Sequence, residues 1–182
     1  MNKALVLLLF VGSIVLAGWE FHDYSNSGEE ISVYPLQGNS GELGGLRLTS
    51  VMSPVRVMVT VDYEINIQDE TNNAYEYVVE ILDPLGRKVG NADGSHVVKR
   101  EDQGPNFEAS RMTHIADTFD VITDGLYQVN WSLKQKKANI RSASLKFRRN
   151  VRSLNWSVMA LAGGCFLLGW VVVFSKIRNR KN

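Results

Sequence analysis

The sequence predicts an all-β, antiparallel domain of β-sandwich or jelly-roll type, set between two apolar ends. Three observations predict it. "VRVMVTVDYEINI" (55–67) alternates apolar and polar residues over thirteen positions, the period of a half-buried strand. Turn signals such as "DPLG" and "TDG" recur between short runs rich in Val, Ile, Tyr and Phe. Between the apolar ends no amphipathic 3.6-residue repeat competes.

The elements follow in order. Residues 1–19, "MNKALVLLLFVGSIVLAGW", carry one lysine and then an unbroken apolar run. Val15 and Ala17 fit the small-residue pattern before a signal-peptidase cut, and the same run fits a short retained membrane helix. Both readings stay open. Residues 20–153 hold the β domain. Here "ISVYPL" and "LRLTS" read as short strands, with the glycine-rich "GNSGELGG" (38–45) as a flexible connection between them. In 55–67 the residues Val55, Val57, Val59, Val61, Tyr63, Ile65 and Ile67 share the core face, and Arg56, Thr60, Asp62, Glu64 and Asn66 lie opposite. "YEYVVEIL" is a strand with both faces partly apolar, "DPLG" (83–86) a turn, "NADGSH" a solvated loop and "SHVVK" a weaker strand. "NFEASRM" reads as a further short strand. "TFDVI" and "LYQVNWSL" flank "TDG" as a hairpin, with Tyr127, Val129, Trp131 and Leu133 on one face. "ANIRSASLKF" is the last strand, with Leu145 and Phe147 inward.

The segment 154–174, "LNWSVMALAGGCFLLGWVVVF", has no charge over 21 residues. As a helix it is about 31 Å long, enough for a bilayer core. Trp156 and Trp170 stand near its ends, where interfacial aromatics belong. Residues 175–182 form a short basic tail. Lys3 precedes the first apolar run and acids follow it, so the domain is expected on the extracytoplasmic side, with Lys176, Arg178, Arg180 and Lys181 in the cytoplasm.

That orientation makes the charge pattern a puzzle. All nineteen Asp and Glu lie between Glu20 and Asp124, and residues 20–131 carry a net charge of −12. Residues 132–153 hold eight bases and no acid. These bases run into the second apolar segment from its outer side, as a basic stem beside the membrane. Two readings account for them. Cross-strand pairing with acids would absorb part of the charge. Alternatively Arg148, Arg149 and Arg152 meet anionic lipid headgroups or an acidic partner subunit.

Few residues carry chemistry. Cys165 is the one cysteine, inside the second apolar segment, so no internal disulfide or cysteine metal site is available. His22, His96 and His114 show no ligand spacing, and no nucleophile motif is present. No catalytic residue, metal, cofactor or nucleic-acid partner is expected. Ala160 with Gly164, Cys165 with Gly169, and Ser13 with Ala17 place small residues four apart, a spacing that lets membrane helices approach closely.

The order of apolar start, β-rich body, C-terminal span and basic tail, with "ILDPLGRKVG" and "FDVITDGLYQVNWSL", resembles in outline the GOLD-domain cargo receptors of the secretory pathway. Their paired cysteines and the coiled coil before their span are absent here. The function expected is binding: an accessory or scaffolding subunit of a larger membrane complex, held through its membrane helix and β domain. The alternative is a tethered sensor or carrier for a ligand, carbohydrate or lipid. An enzyme is the least favoured class.

Overall fold

Eight strands, two apolar helices and one short 3-10 turn make up the described part of the chain, residues 3–66, 73–98 and 107–178 of a computed structural model. The chain divides into two units, Gly28–Val151 and the paired ends Met1–Ser27 with Arg152–Asn182.

The first unit contains β1 (Glu29–Pro35), β2 (Ser40–Leu48), β3 (Val55–Asn66), β4 (Asn73–Leu82), β5 (Lys88–Val97), β6 (Phe107–Phe119), β7 (Gly125–Gln135) and β8 (Asn139–Arg149). They form two four-stranded sheets, ordered β1-β8-β3-β6 and β2-β7-β4-β5, with every pairing antiparallel. The first strand pairs with the last, the second with the seventh, the third with the sixth and the fourth with the fifth. The chain is thus one long hairpin rolled into two sheets.

One apolar cluster joins the two sheets. Val57, Val59, Val61 and Ile65 of β3, with Leu145 and Phe147 of β8, contribute from one sheet. Val79 and Ile81 of β4, with Tyr127, Val129, Trp131 and Leu133 of β7, contribute from the other. Alternation along β3 and β7 puts these residues on one face, and burying each large one contributes about 1.5–3 kcal/mol. Ile67 lies outside the described residues. Arg56 departs from the alternation: it is fully buried although it is on the polar face. It lies in mid-sheet, with Thr118 of β6 on one side and Arg148 of β8 on the other.

The structure corrects three readings of loops. The glycine-rich 38–45 segment is mostly strand, because β2 begins at Ser40. Gly41 pairs with Trp131, and a Cβ there would lie 2.9 Å from Trp131 Cζ2, so only glycine lets the indole lie over the strand. A register shift between Leu43 and Leu46, with Gly45 at φ +89°, makes a bulge. "NADGSH" is no loop but the middle of β5. Gly94 makes that strand fit, since a Cβ there would fall 2.5 Å from the Tyr77 ring. The "TDG" hairpin is not formed: β6 and β7 lie in different sheets, and residues 120–124 cross between them. Val121 is buried in that crossing, which holds it in the core. The Tyr127 hydroxyl donates to the carbonyl of Thr123 at 2.9 Å, a tyrosine corner bracing the crossing. The "DPLG" turn is present, with Asp83 Oδ1 accepting from the backbone N–H of Leu85 and Arg87.

The second unit contains α1 (Lys3–Asn26) and α2 (Trp156–Arg178). α1 continues seven residues past Trp19, through Glu20 and Asp23. Val6–Asn26 and Trp156–Ser175 are each long and apolar enough to cross a membrane.

Candidate functional site

The two helices pack against each other. Ser13 is buried and its hydroxyl donates to the carbonyl of Ala162 at 2.7 Å. The Phe10 ring packs edge-on against Phe166 and Trp170, with centroids 5.3 and 5.8 Å away. Gly169 faces Phe10 so closely that a Cβ would stand 3.1 Å from the ring. Ala17 and Cys165 are half-buried, whereas Ala160 and Gly164 are exposed, away from α1. The small residues therefore divide: Ser13 and Gly169 make the helix pair, and Ala160 with Gly164 form a separate stripe.

Charged groups cap the pair. Asn155 Oδ1 accepts from the N–H of Ser157 and Val158, an N-cap for α2. The carboxylate of Glu20, almost fully buried, accepts from the Asn155 N–H at 2.7 Å. A negative charge there also suits the positive end of the α2 dipole. Arg152 is ion-paired with Asp23.

Residues 132–149 are not a stem. They complete β7, make the turn after it and form all of β8. Lys136 pairs with Glu76 at 3.0 Å, Arg141 with Glu64 at 2.6 Å, Lys146 with Glu30 at 2.9 Å and Arg149 with Glu29 at 2.7 Å. Arg148 donates to the carbonyl of Gly28 at 2.9 Å. The acids that follow α1 thus meet the bases that precede α2, although some 120 residues separate them in sequence. Of the arginines before α2, Arg149 is thus matched by Glu29 and Arg152 by Asp23.

Two further clusters arise only from the fold. Tyr63 of β3 is hydrogen-bonded to His96 of β5 at 2.9 Å, and Tyr75 of β4 to His114 of β6 at 2.8 Å. Each bond links one sheet to the other. The His96 and His114 rings lie 5.5 Å apart, and Tyr77 packs 5.3 Å from His114. Burial, with His96 adding to it, pushes the His114 pKa below its usual value, and burial raises the Tyr75 and Tyr77 phenols. No sequence spacing signals this group, because the two histidines come from edge strands of different sheets.

On the outer face of the first sheet, Asp62, Arg111, Arg141 and Ser142 line an open cleft of about 360 Å³. Arg111 grips Asp62 through two hydrogen bonds, 2.6 and 2.8 Å, and Ser142 donates to the same carboxylate at 2.6 Å. These hydrogen bonds, Arg111 first, hold the Asp62 pKa down to about 2. The cleft's charges are largely matched within it. Among the described residues no group of three His, Cys, Asp or Glu is placed to hold a metal ion.

No protein-family model matches the chain, and no curated protein matches it in sequence. Solved structures to which it is similar include dimeric latent PorU from Porphyromonas gingivalis, at 11% identity and TM-score 0.29, covering 71% of this chain and 11% of that one. The infectious bursal disease virus VP2 subviral particle is similar at 8% identity and TM-score 0.26, covering 72% and 32%. Arabinose-bound MgGH51 α-L-arabinofuranosidase follows at 8% identity and TM-score 0.28, covering 68% and 23%. The chain spans a third or less of each of these structures, and likenesses this weak carry no argument about function.

Proposed function

We propose that the chain is a membrane-anchored jelly roll, displayed on the extracytoplasmic side, that acts as an accessory or scaffolding subunit of a larger membrane complex. The observation that carries this reading is how the β unit is tethered. Its two ends leave side by side: a Cβ on Gly28 would fall 2.5 Å from Val151 Cγ1. Each end continues into a helix long and apolar enough to span a bilayer. The contacts of Ser13 and Glu20 with the second helix favour a retained α1 over a cleaved signal peptide. A two-helix anchor holds a domain at the surface, and the stripe of Ala160 and Gly164 offers a face for another membrane helix. Lys3 and the basic tail then share the cytoplasmic side.

The experiment is purification of the full chain from its native membrane in mild detergent, followed by native size analysis. Co-migration with other membrane proteins supports a subunit role, and a particle of the chain's own mass removes it. Sidedness is read separately. In a Cys165→Ser background, cysteine at exposed Glu42 should react with an impermeant maleimide in intact cells, and labelling only after lysis would reverse the orientation. A tethered ligand sensor is the second reading, favoured by the cleft at Asp62, Arg111 and Arg141.

A further inference from the structure

Four large apolar side chains stand exposed at one end of the β unit: Val51 at 79%, Leu85 at 67%, Ile122 at 79% and Leu126 at 61%. They lie on the β2–β3, β4–β5 and β6–β7 connections and at the start of β7. Hydrogen bonds tie the three connections together. Ser53 Oγ donates to Asp120 at 2.9 Å and accepts from the Val121 N–H at 3.1 Å. The Ser50 N–H donates to Asp124 at 2.6 Å, and Arg87 donates to Thr123 Oγ1 at 3.4 Å. The four side chains therefore belong to one braced rim.

The same end holds both points where the chain leaves the domain. The carbonyls of Met52 and Pro54 accept from the N–H groups of Asn150 and Val151, at 2.9 and 3.2 Å. Gly28 lies against Val151. Only residues 152–155 separate Val151 from the start of α2, so the five steps from Val151 to Trp156 reach at most about 18 Å. One headgroup layer is roughly 5–8 Å deep. Apolar side chains on a rim tethered so closely are within reach of the lipid surface.

We infer that this rim docks into the interfacial layer of a lipid bilayer, with Val51, Leu85, Ile122 and Leu126 immersed at the boundary between headgroups and acyl chains. The inference rests on reading α1 and α2 as membrane spans. Its occupant is lipid and not protein, because two adjacent tethers bring a bilayer to this end whatever else is present. Asp120 and Asp124 sit on the rim beside Arg87, so apolar burial drives the docking and anionic lipid is not required.

The test uses the full chain with Cys165→Ser, reconstituted in phosphatidylcholine vesicles. Single cysteines replace Leu85, Ile122, Leu167 in α2, or Asn139 at the opposite end of the β unit. Each carries an environment-sensitive fluorophore. Lipids spin-labelled near the headgroup should quench the probes of Leu85→Cys and Ile122→Cys to about half their emission, with a blue shift, as expected of groups buried at interfacial depth. Asn139→Cys should stay water-like, and Leu167→Cys should be quenched by lipids labelled deep in the acyl chain. Water-like rim probes beside a quenched Leu167→Cys would overturn the rim and leave the anchor standing. An unquenched Leu167→Cys would remove the membrane reading and the rim with it. A blue shift that grows with protein density but is insensitive to spin-labelled lipid would mean a second copy covers the rim, and would overturn the lipid assignment.

Discussion

Trp131 offers the sharpest test of the fold. It is 7% exposed, sits in mid-β7 between Gly41 of β2 and Val79 of β4, and lies over the glycine. Trp131→Ala removes the largest side chain in the second sheet and leaves a cavity, a change that costs about 3–5 kcal/mol. For the roughly 120 residues of the β unit, unfolding entropy is about 0.26 kcal/mol per kelvin near the midpoint, so Tm should fall by roughly 12–19 °C. The assay is thermal unfolding of the full chain in detergent, followed by circular dichroism in the strand region. A cycle with Gly41→Val tests the cause. Alone, Gly41→Val drives a side chain into the indole and should destabilise. With Trp131→Ala it occupies vacated space, so the double variant should be more stable than the two single losses predict, with a coupling of about 1 kcal/mol or more. A Tm shift of only a few degrees for Trp131→Ala, or strictly additive losses, would refute the packing of Trp131 on Gly41.

Other expectations follow from the polar groups. The folded state holds the His114 proton less readily than the unfolded chain does, so the unfolded chain binds more protons as pH falls. Stability should be full above about pH 6.5 and drop below it, and His114→Gln should reduce that drop in urea titrations between pH 7 and 5. Asp62 behaves at lower pH: its stabilising effect is present above the ordinary Asp range and lost as pH falls toward about 2. Because the Arg111 side chain is 71% exposed and solvent screens the pair, Asp62→Asn should cost no more than about 1 kcal/mol at pH 7, less at high salt. Ser13→Ala should weaken the helix pair by about 0.6 kcal/mol in mixed-micelle titrations with a denaturing detergent. An unchanged midpoint there would show that the Ala162 carbonyl finds another donor.

Much of this protein was written in local pattern. The two apolar segments announce themselves by length alone, and β3 by a period of two maintained from Val55 to Ile65. The faces of β7 and β8 follow from the same alternation, which is why Trp131 and Phe147 are recognisable as core residues from sequence. What sequence could not decide is whatever depends on which strand lies beside which. Gly41 and Gly94 read as loop residues because glycine favours turns, and only the rings of Trp131 and Tyr77 pressing on them explain their place in strands. The TDG turn has hairpin chemistry, yet burial of Val121 and the sheet assignments of β6 and β7 turn it into a crossing. The basic run looks unmatched because its acids, Glu29, Glu30 and Glu64, are remote in the chain, and the β1-β8-β3 order brings them alongside. His96 and His114 meet for the same reason. Alternation is a property of one strand and survives in its residues, whereas register and sheet order arise from the global packing of a single core and exist only once the chain has closed around it.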